Sequence, residues 1–322
     1  MHYITSYIKT MKNPFWVDVL AAWDRPGQAS NQNRCDTISS IPPGVNASLG
    51  LNSFYSKYTH AYNIPVLGSS SVSDQALKRA CYVVSFMLAD RPELRQAMYA
   101  KYGRVAIMAT HEVTRDIPEH SSLPESYNTR ARGLGGTLRV PVSTGAEENV
   151  LCLSSDRYYM DDILVHELAH GIHLISLKTA VADFHRRLTN AFNCARKRSL
   201  WTNTYANVNV NEYFAEGTQS FFNVQRINNN VDTRDKLASH DPALYNLLSE
   251  VFPCENNIVD RCDDQGLIAS QLPRMDCQVT TSAETYEDKN RHCRYWARTG
   301  ECVKNPLYML PNCALSCLRC KS

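Results

Sequence analysis

The chain has 322 residues, a length that suggests one large domain or two unequal ones. Its 34 basic and 32 acidic residues leave a net charge of +2, which argues against nucleic-acid binding and against a polybasic membrane-surface protein. The hydrophobic fraction of 43% is ordinary for a folded protein. No apolar run approaches the roughly 18 residues of a membrane span.

The chain contains twelve cysteines, and half of them fall within residues 277–320. A short segment that is so rich in cysteine is typical of a disulfide scaffold, and disulfides persist in oxidising compartments. We therefore expect a secreted, extracellular protein. No signal peptide is evident, because Asp18 interrupts the apolar residues near the N-terminus. We expect the printed start to be that of a processed form or of an incomplete gene model.

The predicted elements follow one another in a mixed order. Residues 1–72 are irregular in pattern, and Ser73 opens a predicted helix. Residues 103–109, 137–140 and 148–153 are predicted strands, and the glycine-rich residues 133–136 indicate a hairpin or a strand entry. Long apolar helices are predicted over residues 161–177 and 209–224. This order predicts an α+β fold for a first domain, residues 1–270, followed by a small module, residues 271–322.

The first long helix carries the motif His166-Glu167-Leu168-Ala169-His170. Histidines four residues apart share one helix face, where their ring nitrogens can converge on a tetrahedral metal ion. Glu167 lies beside them and is the natural general base for a metal-activated water. The surrounding residues are apolar on nearly all helix faces, which predicts burial. Buried polar groups need a partner or a metal ion, so we expect a Zn²⁺ site rather than two ordinary core histidines.

The third ligand is expected downstream of this helix. A metzincin would have glycine and histidine where this chain has His173 and Ser176, so that class is excluded. His173 lies about 10 Å further along the helix and is a ligand only if Gly171 breaks the helix. Glu212 and Glu216 share one face of an otherwise aromatic-rich helix. One of these two acids is expected to bind the metal and the other to accept a ligand histidine's second N–H, a solvated acidic stripe being the alternative.

Together with Asn211-Glu212-Tyr213-Phe214-Ala215-Glu216, the His-Glu-x-x-His motif resembles the gluzincin metallopeptidases, which have a zincin-like fold. Tyr205, seven residues before Glu212, extends the similarity to the catalytic domain of anthrax lethal factor. The resemblance implies three zinc ligands and a general base, a partner for a ligand histidine, and a hydroxyl that stabilises the oxyanion. The implied zinc ligands are His166, His170 and Glu212, and the implied general base is Glu167. Glu216 would be the partner of a ligand histidine, and Tyr205 would supply the hydroxyl.

The activity that this resemblance implies is that of a zinc metalloendopeptidase acting on a peptide or protein substrate. Residues 148–153 resemble the sheet edge that pairs with the extended substrate in zincins. A secreted binding or toxin protein with a structural zinc ion is the alternative, although a structural site needs no base and usually closes with a fourth protein ligand. A zinc hydrolase that acts on non-peptide amides is a second alternative.

The C-terminal segment resembles the ShK toxin-like (ShKT) domain through its six cysteines and the runs Trp296-Ala297-Arg298-Thr299-Gly300-Glu301-Cys302 and Asn305-Pro306-Leu307-Tyr308-Met309. Spacing alone leaves fifteen pairings open. The resemblance implies the disulfides Cys277–Cys320, Cys293–Cys313 and Cys302–Cys317. Leu307 replaces the lysine that precedes tyrosine in channel-blocking members, which argues against channel block. The module is expected to dock an extracellular partner or to be a stabilising tail.

The other six cysteines have no pairing that the sequence determines. They are Cys35, Cys81, Cys152, Cys194, Cys254 and Cys262. Nearness in sequence favours only a bond between Cys254 and Cys262.

Overall fold

The computed structural model describes residues 33–225, 230–253, 257–263 and 288–317. The fold is mixed α+β, as predicted. The strands are β1 (Ser39–Ser40), β2 (Lys57–Ala61), β3 (Ile64–Gly68), β4 (Arg104–Met108) and β5 (Val142–Ala146). The longer helices of the first part are α1 (Pro43–Leu49), α2 (Asp74–Met87), α3 (Pro92–Ala100), α6 (Ile163–Gly171), α8 (Phe184–Lys197), α9 (Val210–Phe221), α10 (Arg234–His240) and α11 (Pro242–Val251). Short helices are α4 (Tyr127–Arg130), α5 (Glu147–Val150) and α7 (Lys178–Ala180).

The five strands form one mixed sheet in the order β1-β2-β3-β4-β5. The first three strands are antiparallel, whereas β3, β4 and β5 run parallel to one another. Tyr62 and Asn63 both have positive φ at the turn between β2 and β3, the backbone conformation that tight hairpins favour. The prediction that residues 1–72 are irregular is therefore wrong from β1 onwards. Pro65 lies within β3 and masked the strand pattern.

Helix α2 covers one face of this sheet. Ser73 begins it as predicted, since its hydroxyl accepts a hydrogen bond from the N–H of Ala76 at 3.2 Å. The apolar residues of α2 are buried in one core with β3, β4, α6 and α9. This core fixes the position of α6, the helix that carries the histidine motif.

Two of the predicted strands are wrong. Residues 137–140 form a tight turn, in which the N–H of Thr137 donates to Val140 O at 2.9 Å. Residues 148–153 are not a strand, because residues 147–150 form α5 and a turn follows. The buried Asn149 side chain decides this local structure, since it donates to Asp156 Oδ2 at 2.9 Å and accepts from the N–H of Ile163 at 2.9 Å. Such tertiary hydrogen bonds outweigh local strand propensity.

The two long helices were predicted close to where they lie. The first is α6, which continues as a π-helix, Ile172–Leu177, and so changes its hydrogen-bond pattern at Gly171 without breaking. The second is α9, which packs directly against α6. In the described part of the chain, no helix is long and apolar enough to cross a membrane.

Disulfides join distant parts of the chain. Cys35 pairs with Cys81, and Cys152 pairs with Cys262. The expected bond between Cys254 and Cys262 is therefore wrong, and Cys194 is also disulfide-bonded. The predicted domain boundary near residue 270 lies outside the described residues.

The C-terminal module contains the short helices α12 (Cys293–Arg298), α13 (Glu301–Lys304), α14 (Pro306–Asn312) and α15 (Ala314–Cys317). Its disulfides Cys293–Cys313 and Cys302–Cys317 are those that the ShKT resemblance implies. The pairing of Cys277 with Cys320 lies outside the described residues. Met309 and the buried Cys293–Cys313 disulfide form the small core of the module. This is expected for a segment that is too short to bury a large core.

Candidate metal centre

Helix α6 places the two histidines of the motif side by side. Asp162 begins the helix by accepting a hydrogen bond from the N–H of Val165 at 3.0 Å. Val165 and Leu168 point into the core, and the rings of His166 and His170 lie on the opposite, α9-facing side with centroids 4.8 Å apart. Both histidines are buried, with 7% of each residue exposed.

Helix α9 brings an acidic side chain to the same point. Asn209 begins it, since its side-chain oxygen accepts from the N–H groups of Asn211 and Glu212. This cap places Glu212 in the first turn, facing the histidines. The carboxylate thus comes from a different helix than the two rings, and the packing of α9 against α6 determines the geometry of the site.

Three donor atoms form a nearly equilateral triangle. Glu212 Oε2 lies 3.1 Å from His166 Nε2 and 3.1 Å from His170 Nε2. The two nitrogens are 3.1 Å apart. Ligand atoms about 2.0 to 2.1 Å from a tetrahedral zinc ion are roughly 3.3 Å from one another. Two imidazoles and one carboxylate at this spacing form a donor set that can hold zinc.

The charges of the triangle are strongly coupled. Burial alone would lower the pKa of His166, but the Glu212 hydrogen bond and the Glu167 charge outweigh it, and the pKa is raised. Burial would also raise the pKa of Glu212, but its bonds to the two histidines lower it. The site thus favours a cation beside the carboxylate. A metal ion must compete with protons for these nitrogens, because only a neutral imidazole binds metal.

Glu167 lies between the two histidines in sequence and points toward the glycine-rich residues 133–136. A Cβ atom built at Gly133 would lie 2.9 Å from Glu167 Cγ. Burial raises the pKa of Glu167, and the two histidines oppose that rise. A carboxylate whose pKa is raised toward neutrality suits a general base.

The second ring nitrogen of His166 has a partner that the sequence did not reveal. His166 Nδ1 lies 2.9 Å from Gln219 Oε1, whereas Glu216 Oε1 is 3.6 Å away. The amide of Gln219 is oriented by its N–H bond to Asp162 O at 3.1 Å. Its oxygen must therefore face the ring, so Nδ1 carries the proton and Nε2 is free to bind a metal. Gln219 follows Glu212 by seven residues, so both lie on the face of α9 that packs against α6.

Glu216, expected to accept a histidine N–H, lies close to His166 but has another partner. Its Oε2 accepts from the side-chain amide of Gln225 at 2.6 Å. Burial raises the pKa of Glu216, and the nearby His166 opposes that rise. Glu216 therefore adds negative charge beside His166, while Gln219 holds the ring.

Tyr205 lies at the open side of the triangle. It begins a short 3-10 turn, Tyr205–Asn207, and its ring centroid is 6.3 Å from that of His166. Partial burial and the Glu212 charge raise the pKa of Tyr205. The phenol is therefore protonated near neutral pH and can donate a hydrogen bond. More than half of the residue is exposed to solvent.

His173 is not part of the triangle. Its Nε2 lies 3.0 Å from His185 Nδ1, and its ring packs against Phe184 and Phe214. The helix does not break at Gly171, so the condition for ligation by His173 is not met.

A sheet edge passes over α6 beside the triangle. The N–H of Thr144 in β5 donates to Leu134 O at 2.9 Å, in an antiparallel bridge. The prediction of a hairpin or strand entry at residues 133–136 is thus confirmed, and these residues occupy the edge position predicted for residues 148–153. A Cβ atom at Gly135 would lie 2.3 Å from His170 Cβ, so only glycine allows this approach.

Comparisons with known proteins identify the C-terminal module. Residues 273–320 match the family model described as ShK domain-like. No curated protein matches the chain.

One solved structure with some likeness is the PRO-PRO endopeptidase PPEP-2 from Paenibacillus alvei. The sequences are 16% identical, and the likeness covers 58% of this chain and 96% of that chain with a TM-score of 0.39. At that score the likeness defines neither the fold nor the activity of this chain.

Proposed function

We propose that this chain is a zinc-dependent peptidase. One observation carries the proposal: the ring nitrogens of His166 and His170 and a carboxylate oxygen of Glu212 lie 3.1 Å from one another. Among the described residues these three are the only His, Cys, Asp or Glu side chains grouped in this way. Three protein ligands leave a fourth zinc position open for chemistry.

The residues around the triangle supply the remaining parts of a hydrolase. When bound, a zinc ion would act as a Lewis acid that polarises a peptide carbonyl and acidifies water. Glu167 would take the proton of the attacking water and pass it to the leaving amine. The Tyr205 hydroxyl would donate a hydrogen bond to the oxygen on which negative charge develops.

An extended peptide has a natural binding edge at residues 133–136. Leu134 uses its N–H and C=O toward Thr144 of β5. Backbone groups alternate along an extended chain, so we expect those of Gly133 and Gly135 to point away from β5. A peptide added there as a further strand would lie beside Glu167 and His170.

A secreted binding protein with a structural zinc ion is the second candidate, and the ShK domain-like match favours it. The donor set argues for catalysis, because structural zinc sites usually have four protein ligands. We assign residues 1–270 to the peptidase domain and residues 271–322 to the ShKT module. We place the protein outside the cell, where disulfides of this number persist.

A peptide library tests the proposal. The full chain, loaded with one equivalent of zinc, should cleave internal peptide bonds, and a chelator should abolish cleavage. Activity should return when zinc is added back after the chelator is removed. Zinc-loaded protein that cleaves no peptide would reject the peptidase and leave the binding protein.

A further inference from the structure

The buried acids that precede α6 in the chain bind neighbouring groups of the protein. Glu148 binds the buried Arg132 through both carboxylate oxygens. Asp156 accepts hydrogen bonds from Asn149 and from Arg261, and all of these residues are buried. These carboxylates therefore present little negative charge to solvent.

Two exposed arginines in this part of the chain have no such partner. Arg130 stacks on the ring of Tyr127, with its guanidinium carbon 3.7 Å from the ring centroid. Arg157 lies over Tyr158 in the same way, at 5.1 Å. Within the part of the chain that the structure describes, neither arginine has a carboxylate at ion-pair distance. Stacking on tyrosine holds a guanidinium in place while leaving its N–H groups free.

Tyr158 connects the two arginines, and Arg130 is close in sequence to Gly133, which lies against Glu167. The Tyr158 hydroxyl donates to Arg130 O at 2.9 Å. Arg130 precedes Gly133 by three residues, at most about 11 Å of chain, and Gly133 contacts Glu167. On the other side, the N–H of Asp161, just before α6, donates to Tyr158 O.

Tyr205 gives independent support for this location. Partial burial raises the pKa of Tyr205, and Arg130 is near enough to its hydroxyl to oppose that rise. Arg130 therefore lies near Tyr205, whose ring is beside that of His166.

We propose that Arg130 and Arg157 select substrates that carry a carboxylate close to the scissile bond. The inference rests on the proposed peptidase function and names its substrate class. The carboxylate belongs either to an internal Asp or Glu side chain or to the C-terminus of a peptide. Each arginine offers a fork of donors that matches a carboxylate, and the overall charge of +2 gives no comparable general attraction.

The test compares matched peptides. A sequence that the wild-type protein cleaves is remade with Glu, Gln or Lys at each position near the scissile bond, always with an amidated C-terminus. A second set has a free C-terminal carboxylate instead. At one or more positions, kcat/KM should be about fivefold higher for Glu than for Gln, the size of one exposed ion pair. The preference should shrink in high salt.

Charge reversal assigns the effect to the arginines. The double variant R130E/R157E should lose the preference for Glu and favour Lys, with its melting temperature unchanged. R95E is the matched control, because Arg95 stacks on Tyr62 at 4.1 Å in the same manner, away from the triangle. It should keep the wild-type preference.

The outcomes separate the two proposals. Cleavage with equal kcat/KM for Glu and Gln at every position, or a preference for Glu that survives R130E/R157E, would overturn this inference alone. Absence of any cleavage would overturn the peptidase function and this inference with it. A preference only for the free C-terminus supports the arginines as a C-terminal carboxylate site.

Discussion

At His166 the two ring nitrogens have different partners, and the difference decides whether the residue can bind metal. Gln219 Oε1 accepts a hydrogen bond from Nδ1–H, while Nε2 faces Glu212 and His170. An amide is neutral, so it fixes the ring without adding charge. Glu216, nearby, adds the charge without the short hydrogen bond.

Replacement of Gln219 by leucine, which has a similar size but no acceptor, should weaken zinc binding about 10- to 100-fold. The ring of His166 would lose the bond that selects its metal-binding tautomer. Competition with a zinc chelator measures the change. The exposed Gln75→Leu is the control, and equal zinc affinity in both variants would contradict the role of Gln219.

Single residues were the most predictable part of the site. His166, Glu167 and His170 share one helical turn, and Glu212 lies on a helix whose acid spacing is visible in the sequence. Gln219 was missed because a neutral side chain on a buried helix carries no such signal. Its function depends on the packing of two helices that are distant in the sequence.

Among the elements, the edge formed by residues 133–136 lies close to α6 because Gly133 and Gly135 have no side chain. A Cβ atom at Gly135 would lie 2.3 Å from that of His170, a distance that real Cβ atoms do not reach. Residues 133–136 and helix α6 can therefore approach closely only without a side chain at this position.

Gly135→Ala should reduce kcat/KM for peptides at least about tenfold, because the edge must move away from His170 and carry the substrate with it. Gly44→Ala is the control, since a Cβ atom there meets nothing within 4 Å. Thermal unfolding of both variants is compared first, and steady-state kinetics then measures kcat/KM for each. Full activity in Gly135→Ala would refute the edge as the substrate site.

The π-helix that follows α6 buries His173 in an uncharged form. Burial, with smaller effects from His185 and Lys178, lowers the pKa of His173 to about 3. The folded state thus disfavours protonation, and stability that is present above the ordinary pKa of about 6.5 is lost as the pH falls toward 3.

Between pH 6.5 and pH 5, His173 should remove about 2 kcal/mol from the free energy of unfolding. Urea unfolding of zinc-free wild type and His173→Leu at both pH values isolates this contribution. The variant should lose less stability over this interval than the wild type. An equal loss in both proteins would show that His173 is not the group responsible.

Elements were predictable where one periodicity dominated. Helix α9 and strand β4 lie within a few residues of their predicted positions. Residues 148–153 were misread because Val150, Leu151 and Leu153 resemble a strand, while Asn149 makes hydrogen bonds that no local pattern encodes. Tertiary hydrogen bonds determine the structure of that segment.

At the scale of the whole molecule, disulfides hold together segments that are far apart in sequence. Cys152 and Cys262 are 110 residues apart, whereas Cys302 and Cys317 are 15 apart. The number of disulfides and the ShK domain-like module are typical of extracellular proteins. Cysteine density predicts a secreted protein, which stays a prediction, and it does not determine how the cysteines before residue 277 pair.

Removal of the Cys152–Cys262 bond by paired serine substitutions should destabilise the first domain by about 4 kcal/mol, because a loop of that length gains much freedom when unfolded. Removal of Cys302–Cys317 should leave the unfolding of the first domain unchanged. The stabilities of the two disulfide variants are compared by thermal and urea unfolding under non-reducing conditions. Wild-type stability of the first domain without Cys152–Cys262 would contradict this expectation.

The central claim is that the triangle binds a catalytic zinc ion and Glu167 moves the proton. The most direct test is the zinc content and peptide cleavage of Glu167→Gln beside the wild type. The account predicts one zinc ion per chain in both proteins and at least about a hundredfold loss of kcat in the variant. Zinc-loaded Glu167→Gln that cleaves peptides at the wild-type rate would contradict the account.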